Sequence, residues 1–236
     1  MSNLNELRTE RLRKLQELQE LGVNPYPASS HRTHMVNDVT RSYDQLAGQT
    51  VCVAGRITSI RKFGKIAFIV IKDASGESQL FIKQGVLQPL DAPQSQLGIE
   101  HLHLLDSGDF IEATGTVIKT QTGEPSVEVA ILRLLTKSLR PMPTKQDGFT
   151  NKEERLRRRY IDTNVNQNVR DRFIRRSKFW QATRDYLNQH GFTEINIPVL
   201  EHTPGGADAT PFVTHMDALD QDFYLRISHE LPLKRL

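Results

Sequence analysis

The sequence has 236 residues, of which 37% are hydrophobic and 25% are charged, a composition typical of one or two globular domains with real cores. No apolar run approaches the ~20 residues needed to span a bilayer, and the charged N-terminal segment does not resemble a secretory signal. The single cysteine, Cys52, excludes an intramolecular disulfide and a cysteine-rich zinc site. We therefore expect a cytoplasmic protein without a membrane segment.

Residues 1–49 predict an N-terminal amphipathic helix followed by a linker. Leucines recur at helical spacing between residues 4 and 21, interleaved with Arg, Lys, Glu and Gln. Gly22 is expected to end this helix, because glycine readily adopts the backbone conformation of a helix stop. The stretch NPYPASSH that follows is rich in proline and serine, as linkers are.

Residues 50–140 change to the periodicity of β-strands. Five segments are predicted, with a short helix between the third and the fourth: VCVAGRITSIR, KIAFIVIKD, SQLFIK, DFIEATGTVIKT and SVEVAILRLLT. Glycines inside the first and fourth segments would let the strands bend where a small barrel closes. This is the arrangement of an OB-fold, in which the face of strands two and three typically binds oligonucleotides.

Residues 141–236 predict a second region of mixed helix and strand, joined through the linker 139–149. Helices are expected at 153–160 and 168–190, the second closed by His190-Gly191. The stretch FTEINIPVL is predicted to be a strand that ends at a proline. A short strand, FYLRI, then leads into the beginning of a helix at SHELPLKRL.

A basic cluster begins this second region. Ten Lys or Arg residues stand against four Asp or Glu residues between Lys152 and Lys178. Such a local excess of positive charge attracts polyanions, and it is equally common on a solvated helix face. The cluster could therefore contact a nucleic-acid backbone or form ion pairs with a second subunit.

The stretch PGGADATPF, residues 204–212, places a nearly bare backbone between these elements. Glycine is selected where the chain needs a positive φ or where another group must approach the main chain closely. A pair of adjacent glycines is most often simply a surface turn. On these residues alone, both interpretations stay open.

Several ordered motifs resemble one known family. YLNQHGFTEINIPVL resembles motif 1 of the class II aminoacyl-tRNA synthetases, and PGGADATPF with YLRISHELPLKRL resembles their lysine-specific branch. The resemblance implies an α+β protein with an N-terminal helix, a five-stranded OB-fold barrel that binds the anticodon, and the beginning of the antiparallel class II catalytic domain. Aspartate- and asparagine-specific relatives share this architecture but carry a different loop in place of GGADATPF.

The resemblance implies an anticodon-binding set on the barrel. Phe68 would stack on the central anticodon base, while Gln79 and Glu124 would read base edges. Arg61 and Lys65 would hold phosphates. Without the resemblance, Phe68 is more simply a core residue, Gln79 a solvent-facing strand residue and Glu124 a turn residue.

The resemblance also implies a lysine-binding pair in the second region. The backbone at Gly206 would meet the α-amino group of lysine, and the Glu230 carboxylate would pair with that group. Without the resemblance, Glu230 is an acidic residue favoured in the first turn of a helix, with Ser228 as its N-cap. Thr210 and Pro232 depart from the family pattern, in which a basic residue and a tyrosine are usual.

The complete enzyme of this family uses ATP and Mg²⁺ to join lysine to tRNA(Lys) and acts as a homodimer. Phe173, Phe179 and Pro198 would lie at the dimer interface. The arginines and acidic residues that hold ATP and Mg²⁺ in the family have no counterpart before Leu236, so we expect no catalytic residue and no metal ligand here. We expect the chain alone to be catalytically incomplete; the alternative is a non-catalytic OB-fold protein that binds tRNA or other single strands.

Overall fold

The structure, a computed structural model, describes residues 4–143 and 149–236. It divides into two compact units, Met1–Val165 and Asn166–Leu236. Residues 144–148 of the expected linker lie outside the described residues.

The first unit contains the barrel and its flanking helices. The helices are α1 (Leu4–Glu20), α2 (Asp38–Arg41), α3 (Tyr43–Leu46), α4 (Lys152–Arg157) and α5 (Arg159–Val165). The strands are β1 (Thr50–Phe63), β2 (Ile66–Lys72), β3 (Glu77–Lys83), β4 (Phe110–Lys119) and β5 (Pro125–Thr136). Two short 3₁₀ helices, Ala92–Gln94 and Ile99–Leu104, lie between β3 and β4. The expected N-terminal helix, five strands and intervening helix are thus confirmed.

The five strands close into a barrel in the order β1-β2-β3-β5-β4. Neighbouring strands pair antiparallel except for β3 and β5, which pair in parallel where the barrel closes. Alternate residues of each strand point inward, and the core consists mainly of aliphatic side chains such as Ile69, Leu80 and Ile111. This is the five-stranded OB-like barrel that the sequence predicts.

The two strand glycines allow close approach of neighbouring backbones. A Cβ atom on Gly115 would lie 2.0 Å from the carbonyl oxygen of Glu128, and one on Gly55 would lie 2.9 Å from that of Lys72. The β4–β5 register also shifts next to Gly115, between Thr114 and Gly115. Glycine at these positions permits the strong strand coiling that a small barrel needs.

A buried ion cluster fastens α1 and the segment after β5 to the barrel. The Lys137 ammonium is fully buried and donates to the Asp109 carboxylate at 2.8 Å, to Asp106 at 2.5 Å and to the Leu104 carbonyl at 2.7 Å. From α1, Lys14 pairs with Asp106 at 2.7 Å. Burial raises the pKa of Asp109 despite the neighbouring Lys137. Burial also works to raise the pKa of Asp106, but Lys137 and Lys14 hold it below its usual range.

A second buried cluster holds the linker before β1 against β4 and β5. The Glu112 carboxylate accepts hydrogen bonds from the Ser30 hydroxyl at 2.6 Å, the His31 amide at 2.5 Å and the Arg133 guanidinium at 2.6 Å. Burial works to raise the pKa of Glu112, but these donors outweigh it and leave the pKa below its usual range.

We expect Glu112 to contribute to acid sensitivity. Because its pKa is lowered in the folded state, its stabilisation is present above the unfolded pKa of about 4.3 and is lost as the pH falls through the folded pKa. Glu112→Gln should therefore lower the free energy of unfolding at neutral pH. The difference in this free energy between the variant and wild type should become smaller in acid. Urea denaturation at a series of pH values measures this. A free-energy difference that stays constant down to strongly acidic pH would contradict this role of Glu112.

The second unit contains one long helix, a small sheet, a 3₁₀ helix at Asp217–Leu219 and a short α-helix. Its elements are α6 (Gln167–Gln189), β6 (Leu200–Glu201), β7 (Val213–Met216), β8 (Gln221–Leu225) and α7 (Glu230–Lys234). The sheet has the order β6-β8-β7, and both of its pairings are antiparallel. The expected long helix and its stop are confirmed, since Gly191 has a φ of +82° and the Phe192 amide donates back to the Leu187 carbonyl.

Two local predictions are wrong. The helix expected at 153–160 is interrupted at Arg158, which has φ −116° and ψ 52°, so two short helices form instead. The strand expected at FTEINIPVL is confined to Leu200–Glu201, while residues 192–199 carry no strand. An alternating pattern makes a strand only beside a partner, and the carbonyls of Ile197 and Pro198 bind the Arg226 guanidinium instead.

The structure accounts for the unusual Pro232. It lies in the first turn of α7, whose helical hydrogen bonds start with the Leu233 amide donating to His229. The first amides of a helix have no acceptor within the helix, so proline gives up no bond at this position.

Candidate nucleic-acid interface

The outward surface of β1, β2 and β3 carries the predicted stacking residue. Along β2, Ala67, Ile69 and Ile71 are buried in the barrel, whereas Phe68 points to the outer face and is partly exposed. Phe68 is therefore not a residue of the barrel core, which is the location that its residue type alone would favour.

Phe68 is part of a group of three aromatic rings. It stacks on Phe81 of β3 with a centroid distance of 5.2 Å and an interplanar angle of 30°. Phe63, at the end of β1, contacts Phe68 edge to face at 6.3 Å. Phe63 and Phe81 were not predicted as site residues. The outward position of Phe81 follows once its pairing with Phe68 is known, and that of Phe63 follows from its pairing with Ile66.

A hollow of about 400 Å³ lies next to Phe68, because its lining includes Arg61, the residue that pairs with Phe68 across the β1–β2 ladder. The hollow brings three further predicted residues together. Its lining residues are Arg61, Val70, Glu77, Ser78, Gln79, Thr122 and Glu124. The Gln79 amide donates to the Ser126 hydroxyl at 3.0 Å, and the Arg61 guanidinium donates to the Gln79 oxygen at 3.4 Å. These contacts fix the orientation of the Gln79 amide towards β5.

Glu124 reaches this hollow from the turn between β4 and β5. The turn is held by the Thr120 amide, which donates to the Glu124 carbonyl at 3.0 Å, and by the Glu124 amide, which donates to the Thr120 hydroxyl at 3.2 Å. Gly123 supplies the positive φ of +84° that the turn requires. The Glu124 side chain itself is exposed and can accept hydrogen bonds from a ligand.

Lys65 lies apart from the hollow. It is exposed in the β1–β2 turn beside Gly64, which has a φ of +57°. The structure thus brings Arg61, Gln79 and Glu124 together next to Phe68 and places Lys65 at the end of the same hairpin.

The glycine loop of the second unit packs directly against the start of α7. Gly206 has a φ of +83°, and a Cβ atom there would lie 2.9 Å from the Ser228 hydroxyl oxygen and 3.0 Å from the Glu230 Cβ. A Cβ on Gly205 would lie 2.6 Å from a methyl carbon of Leu231. The bare backbone is therefore required by backbone conformation and packing, and it brings Gly206 next to Glu230.

The Glu230 carboxylate is exposed and accepts a hydrogen bond from the Lys234 ammonium at 2.6 Å, one turn further along α7. The Glu230 amide donates to the Ser228 hydroxyl at 3.1 Å, which satisfies one of the free amides at the start of the helix. Exposed pairs of this kind are weak, about 0–1 kcal/mol. An ammonium group from solution can therefore compete for the carboxylate.

The residues expected at a dimer interface are exposed. Phe173 and Phe179 lie on α6, and Pro198 lies in the irregular segment before β6.

In the basic cluster, Arg155 and Arg159 of α4 and α5 both pair with the buried Asp162. Part of that charge therefore stabilises the local helix packing.

No described helix has the length and apolar character needed to cross a membrane. Among residues 4–143 and 149–236, no group of three or more His, Cys, Asp or Glu side chains is arranged to hold a metal ion.

Comparison with known families agrees with the two-part architecture. Residues 51–135 match the family described as OB-fold nucleic acid binding domain, and residues 151–236 match the tRNA synthetases class II (D, K and N). The chain therefore combines an OB-fold nucleic acid binding domain with part of a class II tRNA synthetase domain.

Within this class, the chain is homologous to lysine–tRNA ligases. It is 44% identical to the lysine–tRNA ligase of Carboxydothermus hydrogenoformans over 99% of its length, and 45% identical to that of Roseiflexus sp. over 99%. It is also 45% identical to the enzyme of Clostridium botulinum over 98% of its length. The chain spans about half the length of these curated relatives, namely 46%, 47% and 45%. The family recognised from the sequence motifs is confirmed.

Proposed function

We propose that this chain provides anticodon recognition and part of the lysine site of a lysine–tRNA ligase, which activates lysine with ATP and transfers it to tRNA(Lys). The observation that carries the proposal is the outward face of the barrel, where the partly exposed Phe68 adjoins a hollow lined by Gln79, Glu124 and Arg61. Unpaired bases are recognised by stacking on rings and by hydrogen bonds to their edges, and this face offers both.

The polar groups of the hollow suit a uracil, the central anticodon base that reads lysine codons. A uracil edge presents two carbonyl acceptors and one N–H donor. The Gln79 amide can donate to a carbonyl while it accepts from the N–H, and the Glu124 carboxylate can only accept. Arg61 brings a positive charge to the same hollow, where it can neutralise an adjacent phosphate.

We propose that Gly206 and Glu230 bind the α-amino end of lysine. Gly206 lies next to the start of α7, and the Glu230 carboxylate already accepts an ammonium group from Lys234. Substrate lysine would replace Lys234 there with a charge-assisted hydrogen bond of the same type. The exposure of the carboxylate supports this exchange, since neither group has to leave a buried position.

The remaining parts of the proposal concern assembly and cofactors. Phe173, Phe179 and Pro198 are exposed and are available to form the interface of a homodimer. ATP and Mg²⁺ would serve the complete enzyme, and we assign neither of them to a described residue.

The proposal is tested by titrating the full 236-residue chain with an RNA stem–loop that carries the UUU anticodon. Changing the central uracil to cytosine exchanges the donor and acceptor on the base edge. Polar groups of the hollow that the bound RNA covers are then left unpaired, which costs about 1–3 kcal/mol. We expect affinity to fall by roughly tenfold or more. Fluorescence anisotropy measures both dissociation constants.

A stem–loop with an altered stem sequence and an unchanged loop is the matched RNA control. Its affinity should equal that of the original hairpin, because the barrel face contacts unpaired bases. Equal binding of the uracil and cytosine loops would refute base recognition by this hollow.

A further inference from the structure

The aromatic surface extends beyond the ring proposed to hold the central base. Phe63 is 59% exposed at the end of β1, and it contacts Phe68 only through an edge-to-face arrangement at 6.3 Å. More than half of its surface therefore stays accessible, next to a residue already proposed to stack on RNA. Scattered exposed apolar residues are common on proteins, so the position of Phe63 relative to its neighbours decides its role.

The strand register places Phe63 and the polar hollow on opposite sides of Phe68. Three cross-strand rows follow one another on the outer face, because residues two apart on a strand share a face. Phe63 pairs with Ile66 in the first row, Arg61 pairs with Phe68 in the second, and Val70 pairs with Gln79 in the third. A strand of RNA whose central base lies between Phe68 and Gln79 would thus pass Phe63 with a neighbouring base.

The charges around Phe63 also fit an RNA backbone. The exposed Lys65 lies in the hairpin turn, and Lys83 of β3 pairs with Ile66 in the same row as Phe63. This row contains no acidic residue. Phosphates on either side of a stacked base would therefore meet positive charge.

We propose that Phe63 is a second stacking site, which binds a base next to the central anticodon base, so that the barrel face holds two consecutive unpaired bases. This inference rests on the proposed anticodon function and identifies a further binding residue for it. The β1–β2 ladder continues to the Phe63–Ile66 pair, so the ring is held on the sheet rather than on a free loop.

The test replaces Phe63 in the full chain and titrates it with the UUU stem–loop. Phe63→Leu keeps an apolar side chain but removes the ring, and we expect affinity to fall about fivefold or more. Phe63→Tyr keeps the ring and should bind like wild type. Circular dichroism and thermal unfolding of both variants establish that the barrel stays folded.

RNA with a single abasic nucleotide shows which base contacts Phe63. For wild type, removing the base on one side of the central position should weaken binding about fivefold. For Phe63→Leu, the same abasic RNA should bind no more weakly than the intact loop, since the stacking partner is already absent. This coupling between one residue and one flanking base is the expected result.

The outcomes separate this inference from the proposed function. One outcome is that Phe63→Leu weakens RNA binding while cancelling only the effect of removing the central base and not that of a flanking base. In that case Phe63 acts through Phe68, and the second stacking site is overturned. If Phe68→Leu weakens binding while Phe63→Leu does not, only the second site is overturned. If neither substitution changes affinity, the proposed anticodon function itself fails.

Discussion

Replacing Phe68 by leucine is expected to weaken binding of the UUU stem–loop more than tenfold, because base–aromatic stacking contributes ~1–3 kcal/mol per base. Phe68 has a partly exposed ring that stacks on Phe81, so a base placed on its open side would extend an existing stack. Leucine retains apolar contact with Phe81 but offers no flat surface. Anisotropy titration of the full chain gives the ratio of dissociation constants.

Two controls make this result specific. Phe68→Tyr retains the ring and should bind within about twofold of wild type, since every base can stack on either ring. Phe212→Leu removes an equally apolar and highly exposed ring in the second unit, and it should leave the affinity unchanged. A folded Phe68→Leu variant with wild-type affinity would remove the barrel face from the anticodon assignment.

Replacing Lys137 by methionine should cause the largest loss of stability among the substitutions considered. Breaking a buried ion pair by removing one partner costs about 3–5 kcal/mol, because it leaves a buried charge without compensation. Lys137 and Asp109 are both fully buried, and Asp106 pairs with the same ammonium group. Urea denaturation at neutral pH should show a fall in the free energy of unfolding of about this size.

The matched control removes a positive charge that also pairs with two carboxylates. Arg13 on α1 pairs with Glu10 and Glu17, but all of these groups are at the surface. Arg13→Met should therefore leave the free energy of unfolding close to that of wild type. The Lys137→Met variant should also lose less stability relative to wild type in acid, because protonation of Asp106 and Asp109 removes the unpaired charge. Similar stability of the two variants at neutral pH would contradict the role of the buried cluster.

Much of the barrel could be predicted because its strands are half buried and their sequences alternate accordingly. The outward position of Phe68 was expected only through the family resemblance, because β2 carries apolar residues on both of its faces. The partners of Phe68 could not be predicted in the same way. The contacts with Phe63 and Phe81 depend on how three strands are aligned, and alignment between strands is set by turns and packing rather than by any one segment.

The second unit shows where local patterns fail. FTEINIPVL alternates like a strand, yet its Ile197 and Pro198 carbonyls bind the Arg226 guanidinium instead of a neighbouring strand. The closeness of Gly206 and Glu230 was expected only through family resemblance, because more than twenty residues of sequence, containing two strands, separate them. Contacts between distant segments depend on tertiary packing, which periodicity does not describe.

The parallel pairing of β3 with β5 has a consequence for how the barrel could discriminate between RNAs. This seam brings Gln79 beside Ser126, and with it the turn that carries Glu124. The aromatic pair Phe68–Phe81 lies entirely within the β2–β3 hairpin and does not depend on the seam. A molecule in which β5 had detached would keep the aromatic pair on which unpaired bases stack but would lose the polar contacts that distinguish one base from another. Base selectivity would therefore be lost before affinity.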